Sequence, residues 1–421
     1  MMNCYIRPSV LALILLIAGE SILCAQATAE RLENDLSRAG CLFHSYEFND
    51  ITDIKPPKGY KPFYISHYGR HGSRYHTDDR YFGNAVRALQ HADSIGNLTD
   101  EGTLLKKQID SLWKVHDGMW GMLTEKGVRE QKMLALRMYE RFPEVFDGRH
   151  RSVLDTYSSD IPRCIMSLAS FSGSLIACNP ELDVRYETGA RCSEYLRCGT
   201  AAVPIKKHYE PDMHKSIDDS CDWSGLLKKI FIRPSQMNCS AYDFASGLWG
   251  AWAICQCIED VNIDILKYFD KEQLLNTWKY RSQYYHLIFV RSDLFPDVAI
   301  KGVKALLKDI VDKADEALSQ EKVAATIRFG HDSTLMPLAG LVGIEGFDRV
   351  HSDSSPITDE WDLGTHVCMG SSLQLIFYRN RAGKILVKIL YNEQEKRIPF
   401  LTPYADGVYY EWETLRQYFN K

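Results

Sequence analysis

The 421-residue chain has no surplus of positive charge: 55 Asp and Glu stand against 50 Lys and Arg, a formal net charge of -5. Nucleic-acid binders ordinarily carry a basic excess, so the balance argues against that class of partner. A small anion is not excluded, because a few local arginines can make a basic pocket in an acidic protein. Beyond the first 27 residues, no apolar run is long enough to cross a bilayer. The chain has no G-x-S-x-G elbow, no P-loop and no H-E-x-x-H, which counts against a serine hydrolase, a P-loop nucleotide hydrolase and a zinc protease. It has no C-x-x-C pair, so a structural zinc site is not expected. Repeats and low-complexity tracts are absent too. With 45% hydrophobic, 25% charged and 11% aromatic residues, the composition is that of a globular protein and excludes disordered, collagen-like and coiled-coil chains.

What is present begins with a leader. Arg7 is followed by the apolar run Val10 to Ala18 and by the small-residue site Ala25-Gln26-Ala27. This order predicts a signal peptide over residues 1–27 and an exported chain, periplasmic, surface-bound or secreted. Lipid attachment at Cys24 is a poorer reading, because Leu23 is large where a small residue is wanted. Of 12 cysteines, Cys4 and Cys24 would leave with the leader. Disulfides are then plausible in an oxidising compartment, with Cys192 and Cys198 as the first local pair to expect. Cys255 and Cys257 sit in an apolar stretch with side chains pointing apart and read as buried thiols.

Residues 28–61 are polar and rich in turn formers. Phe63 to Ser66 is a β-type run, broken at Gly69 and Gly72. Helical periodicity follows over 79–95, 100–117 and 124–142. Residues 152–157 read as a strand leading into a helix over 160–177, with Asp160 as its N-cap. Helix 298–319, strand 323–329, a helical run from Leu335 to Val342 and two late strands, 371–378 and 385–391, complete the pattern. Strands alternating with helices predict an α/β fold, an open, mostly parallel sheet flanked by helices. The expected division is one α/β domain over 28–189 and 286–421, with an inserted α-helical subdomain over 190–285.

Three elements carry chemistry. Arg70-His71-Gly72-Ser73-Arg74 follows the first strand, where an α/β sheet presents its ligands. Arginine offers a planar fork of donors suited to phosphate oxygens. A histidine between two guanidiniums is disfavoured as a cation, and stays neutral and nucleophilic. The alternative is a turn with surface arginines. Phe329-Gly330-His331-Asp332 likewise emerges from a strand; there the alternative is that Asp332 only caps a helix. Arg163 lies in the first turn of a helix, where the helix N-terminus already favours anions, unless it serves a salt bridge.

In this order the three elements resemble the histidine acid phosphatases, the branch of the histidine phosphatase superfamily that includes phytases. Leu123-Thr124-Glu125-Lys126-Gly127 is similar to that family's L-T-x-x-G stretch. Phe329 to Gly343 and Leu390-Tyr391-Asn392-Glu393 look most like the multiple inositol polyphosphate phosphatases. The chain departs from the pattern twice. His76 stands where the family has a proline after Arg-x, and His331-Asp332-Ser333 replaces the inositol polyphosphate subgroup's His-Ala-Glu. The resemblance implies that His71 attacks phosphorus and forms a phosphohistidine. Arg70, Arg74, Arg163 and His331 would bind the phosphate, and Asp332 would protonate the leaving alkoxide. It implies no metal and no cofactor.

The expected partner is a small anionic phosphomonoester, an inositol polyphosphate such as phytate. The alternatives are a general acid phosphatase on sugar phosphates or other monoesters, and a non-catalytic exported anion-binding protein. Lys55, Lys58, Lys61, Lys206, Lys207 and His208 are candidate cations for non-reacting phosphates, although each reads more readily as a solvated surface residue. His67 and His76 are candidate supporting groups. His67 and His71 also have a helical metal-ligand spacing, a reading that the adjacent arginines oppose.

Overall fold

The computed structural model describes residues 32, 34–148, 151–259, 261, 263–295, 298–405 and 407–421. The expected signal peptide, residues 1–27, lies outside them. Among the described residues eight strands form one open sheet: β1 (Lys61–Arg70), β2 (Val153–Ser158), β3 (Asp183–Thr188), β4 (Val323–Gly330), β5 (Ser372–Arg379), β6 (Ile385–Tyr391), β7 (Gln394–Lys396) and β8 (Tyr409–Glu411). The strand order is β3-β2-β4-β1-β5-β6-β7, with β8 also paired to β6. The core pairings β3–β2, β2–β4 and β4–β1 are parallel, and those from β1 outward to β5, β6, β7 and β8 are antiparallel. The chain therefore adopts the expected α/β class, an open sheet with a parallel core.

β4 is buried along its whole length, as a strand covered on both faces must be. On one face Ile65, Ile327, Phe329 and Ile376 pack against Leu134, Leu168, Phe171 and Leu175 of the helices Glu125–Arg141 and Pro162–Cys178. On the other, Tyr64, Tyr68, Leu373 and Phe377 join the core of the helix Val298–Gln320 and of the helices between residues 190 and 289. The position drawn as a subdomain boundary, residue 285, falls inside the helix Lys271–Phe289.

Several local expectations differ from the structure. The helix after β2 starts at Pro162, with Ile161 as N-cap. Asp160 instead accepts a hydrogen bond from Ser193 Oγ at 2.6 Å. Proline at the first helical position, whose missing N–H costs nothing there, sets the start. Residues Leu36–Phe43, inside the stretch read as polar and turn-rich, form a 3₁₀ helix that buries Ala39 to Phe43. β3 shows no apolar alternation, being exposed at Asp183, Arg185, Tyr186 and Thr188, and only its pairing to β2 makes it a strand. Cys192 and Cys198 do not pair: all ten cysteines among the described residues are free thiols. Cys192 lies in the helix Ala190–Leu196, and the Cys198 thiol donates to the Tyr195 carbonyl at 2.7 Å. Cys255 and Cys257 point apart as expected, their thiols donating to the carbonyls of Ala251 and Phe43.

One buried cation ties the antiparallel half of the sheet to the N-terminal segment. Lys388 on β6 is 1% exposed and contacts Asp53 at 2.9 Å and Glu395 at 2.5 Å. Burial opposes ionisation of Asp53, but hydrogen bonds from Arg141 and Lys388 outweigh it and hold its carboxyl at about 2. Because this acid ionises more readily in the folded chain, its stabilisation is complete above the ordinary carboxylate range and is lost as pH falls toward 2. Lys388→Ala leaves two carboxylates without that partner and is expected to lower unfolding free energy by about 3 kcal/mol. A urea midpoint equal to that of the parent chain would contradict this.

Candidate active site

The parallel pairing of β1 with β4 places Arg70 beside Gly330, and His71 N–H donates to the Gly330 carbonyl at 3.1 Å. Both chemistry-bearing segments thus leave the sheet together at the carboxyl ends of neighbouring strands, where open α/β sheets bind ligands. The His71 and His331 rings lie 5.8 Å apart, centroid to centroid. Arg70 is fully buried; its Nη1 donates to the Val367 carbonyl at 2.7 Å, and its Nη2 lies 3.1 Å from Asp332 Oδ2. Arg163 faces the same group from the helix Pro162–Cys178. The structure therefore brings together His71, Arg70, Arg74, Arg163, His331 and Asp332. Asp332 is the first residue of its helix, and His331 occupies the cap position.

His71 Nδ1 lies 2.9 Å from the Gly72 carbonyl. A carbonyl can only accept, so Nδ1 carries the proton and Nε2 keeps its lone pair. Burial first, and then Arg163, Arg70, Arg74 and His331, push the His71 imidazole far below the ordinary histidine range. Burial and Arg163 also hold His331 neutral. Burial and the neighbouring Arg74 lower even Arg163, to about 10. Burial opposes ionisation of Asp332, yet the Arg70 guanidinium first, and then Arg74, outweigh it and keep its carboxyl below the usual range. The Nε atoms of Arg70, Arg74 and Arg163 are buried without hydrogen-bond partners. Such unsatisfied donors are costly unless a ligand meets them, and three from one cluster suit a dense anion.

Several residues that hold this constellation were not singled out from sequence. Ser167 Oγ accepts from Gly72 N–H at 3.1 Å and donates to the Arg163 carbonyl at 2.8 Å, joining the His71 loop to the Arg163 helix. It lies four residues after Arg163, on the same helix face, and that spacing was the available signal. The Tyr68 hydroxyl donates to the Leu196 carbonyl and accepts from His331 N–H at 3.1 Å. Ser159 Oγ lies 3.2 Å from His331 Nε2. The stretch Met122 to Thr124 zips onto the loop: Tyr75 N–H donates to the Met122 carbonyl, and Thr124 N–H to the Ser73 carbonyl. Gly127 permits the contact, because a Cβ there would sit 2.1 Å from the Ser73 carbonyl oxygen.

Other candidates fall elsewhere. Lys61 begins β1 and Lys55 and Lys58 precede it. A ten-residue strand spans about 30 Å, so Lys61 lies at the opposite end of β1 from Arg70. Lys207 and His208 are exposed on the helix Val203–Asp219. Lys206 Nζ donates to the Tyr285 hydroxyl at 3.3 Å, and Tyr285 is within electrostatic reach of Asp332. His67 is buried in mid-strand between Phe171 and Phe329, and burial pushes it down to about 3. Four residues of extended chain separate it from His71 by about 13 Å, so the helical metal spacing is not realised. His76 Nε2 donates to the Gly250 carbonyl at 2.9 Å and its ring stacks on Tyr81. Among the described residues Asp35, His44 and Glu47 have metal-ligand spacing, but Arg38 already sits 2.7 Å from Glu47.

Known proteins share both pattern and fold. Human multiple inositol polyphosphate phosphatase 1 is 25% identical over 328 residues, which cover 69% of this chain and 62% of that protein. The chain thus spans less than two thirds of that relative. The Gallus gallus protein of the same name is 25% identical over 246 residues, 52% of this chain and 51% of its own. In fold, the chain matches the Bifidobacterium longum multiple inositol polyphosphate phosphatase in complex with inositol hexasulfate, with a TM-score of 0.77, 19% identity and coverage of 90% of this chain and 97% of that one. The phytase from D. castellii matches with a TM-score of 0.65 at 14% identity, over 91% and 84% of the two chains. The sequence pattern of the histidine phosphatase superfamily (branch 2) extends over residues 69–392, from the loop that holds His71 to the turn after β6, and the chain belongs to that family.

Proposed function

We propose that the protein hydrolyses phosphomonoesters through a phosphohistidine, with inositol polyphosphates such as phytate as substrates. The observation that carries this reading is the His71 imidazole, held neutral with Nε2 unprotonated, among three arginines and beside a carboxyl group. Nε2 donates its lone pair to phosphorus as the ester P–O bond breaks. Arg70, Arg74, Arg163 and His331 stabilise the equatorial oxygens. Protonated Asp332 gives its proton to the departing alkoxide. Water then attacks the phosphohistidine and gives its proton to Asp332; the N–P bond breaks, its electron pair returns to Nε2, and phosphate leaves. A non-catalytic anion-binding role is disfavoured because nucleophile and acid are both present, the acid in contact with Arg70, next to His71 in the chain.

The relatives' names support the substrate class: an inositol polyphosphate phosphatase in human, and a B. longum structure holding inositol hexasulfate. So does Lys206, whose ammonium donates to the hydroxyl of Tyr285, a residue within electrostatic reach of Asp332. The leader supports export, and no helix among the described residues is long and apolar enough to cross a membrane.

Arg70 has two anions to serve. Without substrate its guanidinium contacts Asp332. A phosphate dianion competes for it, removing the acid's main counter-charge and adding a negative neighbour. Both effects raise the Asp332 pKa, so loading the site favours the protonated acid that the first step needs.

His71→Ala should lower kcat by on the order of 10⁴-fold or more. Full phosphate release from p-nitrophenyl phosphate would remove the nucleophile. Asp332→Asn should cost about 10²-fold or more on phytate and far less on p-nitrophenyl phosphate, whose leaving group needs no proton; equal losses would remove the donor role. Sulfate, a fixed dianion, should bind with proton uptake near pH 5. Calorimetry in buffers of different ionisation enthalpy should show that uptake falling in Asp332→Asn; an unchanged value would assign it to the imidazoles. In a panel of phytate, sugar phosphates and nucleotides, phytate should have the highest kcat/KM. A low rank would favour a general acid phosphatase. Export is checked by N-terminal sequencing of the mature chain, expected to begin at Thr28.

A further inference from the structure

Three buried acids among the described residues, Glu130, Asp362 and Glu393, take no part in the proposed reaction, and the first of them holds the loop of the nucleophile. Glu130, on the helix Glu125–Arg141, is 3% exposed. Its Oε2 accepts from Ser73 N–H at 2.7 Å, and its Oε1 accepts from Ser73 Oγ at 2.7 Å and from Tyr46 N–H at 3.4 Å. These partners are all neutral, and the cation that faces it is Lys126, one turn earlier on the helix. Burial pushes its carboxyl up, while the two bonds from Ser73 pull it back. A buried carboxylate satisfied by neutral donors is an expensive device for mere space-filling. What it grips is Ser73, the residue between the nucleophile's turn and Arg74. Gln131, the next residue, donates from Nε2 to the Arg70 carbonyl at 3.3 Å.

We propose that Glu130 is a positioning residue for phosphoryl transfer: by holding both the main chain and the hydroxyl of Ser73, it fixes the loop so that His71 and Arg74 face the same phosphorus. This rests on the reaction proposed above and adds a residue to it. A displacement of about 1 Å at a reacting group can cost about 10²-fold in rate, so the grip matters for turnover beyond its effect on folding.

The hydroxyl of Ser73 can donate or accept, so Glu130→Gln can keep both contacts, with the amide oxygen accepting from Ser73 N–H and the amide nitrogen donating to Ser73 Oγ. Glu130→Leu can keep neither. The expected result is kcat within about tenfold of the parent for Glu130→Gln, and a loss of about 10²-fold for Glu130→Leu. That loss should be equal on p-nitrophenyl phosphate and on phytate, with weaker inhibition by inorganic phosphate. Lys388→Ala is the control for stability alone and should lower the unfolding midpoint without lowering kcat. A folded Glu130→Leu protein with parental kcat overturns the proposal. So does a loss confined to phytate, which would place the effect at Asp332, or a Glu130→Gln protein as slow as Glu130→Leu, which would assign it to charge. Should Glu130→Leu not fold, Ser73→Ala in the Glu130→Gln background leaves the amide nitrogen unpartnered and must reproduce the loss; parental kcat there also overturns it. A fully active His71→Ala protein would instead refute the underlying reaction, whatever the Glu130 variants do.

Discussion

The site depends on one backbone pairing. Parallel hydrogen bonding between β1 and β4 sets Gly69 beside Phe329 and Arg70 beside Gly330, so the two strands end together. From that shared end the chain delivers His71 on one side and His331 and Asp332 on the other. Register here is a matter of chemistry. A slip of one residue would turn each strand's side chains to the opposite face. It would also separate His71 N–H from the Gly330 carbonyl. The full burial of β4, with Arg328 bound to Asp309 at 2.7 Å and Ser66 at 3.0 Å, makes that register hard to change.

Charge is the second constraint. Three guanidiniums near one another repel, and burial removes the water that would screen them. The chain meets this cost in two ways. It keeps both imidazoles uncharged, and it supplies Asp332 as a single counter-anion that a phosphate can replace. The neutral state of His71, which the proposed attack requires, follows from burial first and then from the same arginines that are proposed to bind the phosphate. In the proposed reaction, binding and activation are one electrostatic arrangement.

Much of this was legible in the sequence. The strand–loop order around Arg70 to Arg74 and around His331-Asp332 pointed to carboxyl ends of strands, and short-range patterns locate such positions well. The shortfalls have a common cause. Ser167, Tyr68, Ser159 and Glu130 act through contacts with residues remote in sequence, and a serine or glutamate in a helix looks the same whether it faces solvent or a catalytic loop. β3 and the 3₁₀ helix Leu36–Phe43 are tertiary products also: one exists through its pairing with β2, the other because its apolar residues meet helices from far along the chain. Lys61 shows a topological limit of sequence reading: it begins the strand that ends at Arg70, so nearness in sequence became distance along the sheet.

His76 shows how a departure from the family pattern can be absorbed. A proline at that position would restrict the backbone at the exit of the catalytic loop. Here the restraint comes from the side chain instead. The imidazole donates to the Gly250 carbonyl and stacks on Tyr81, and the backbone N–H of His76 donates to His116 Nε2 at 3.3 Å. Burial holds the ring neutral across acidic pH, so the bond to Gly250 does not depend on protonation. Proline needs no partner, whereas this histidine needs the helix Ala241–Cys255, on which Gly250 lies. The loop bearing the nucleophile is thereby coupled to the packing of the helical region, and Gly250 itself has no room for a side chain, because a Cβ would meet the Tyr81 carbonyl oxygen at 2.2 Å. The rigidity that proline builds into one residue is, in this chain, shared between the catalytic loop and the helices packed above it.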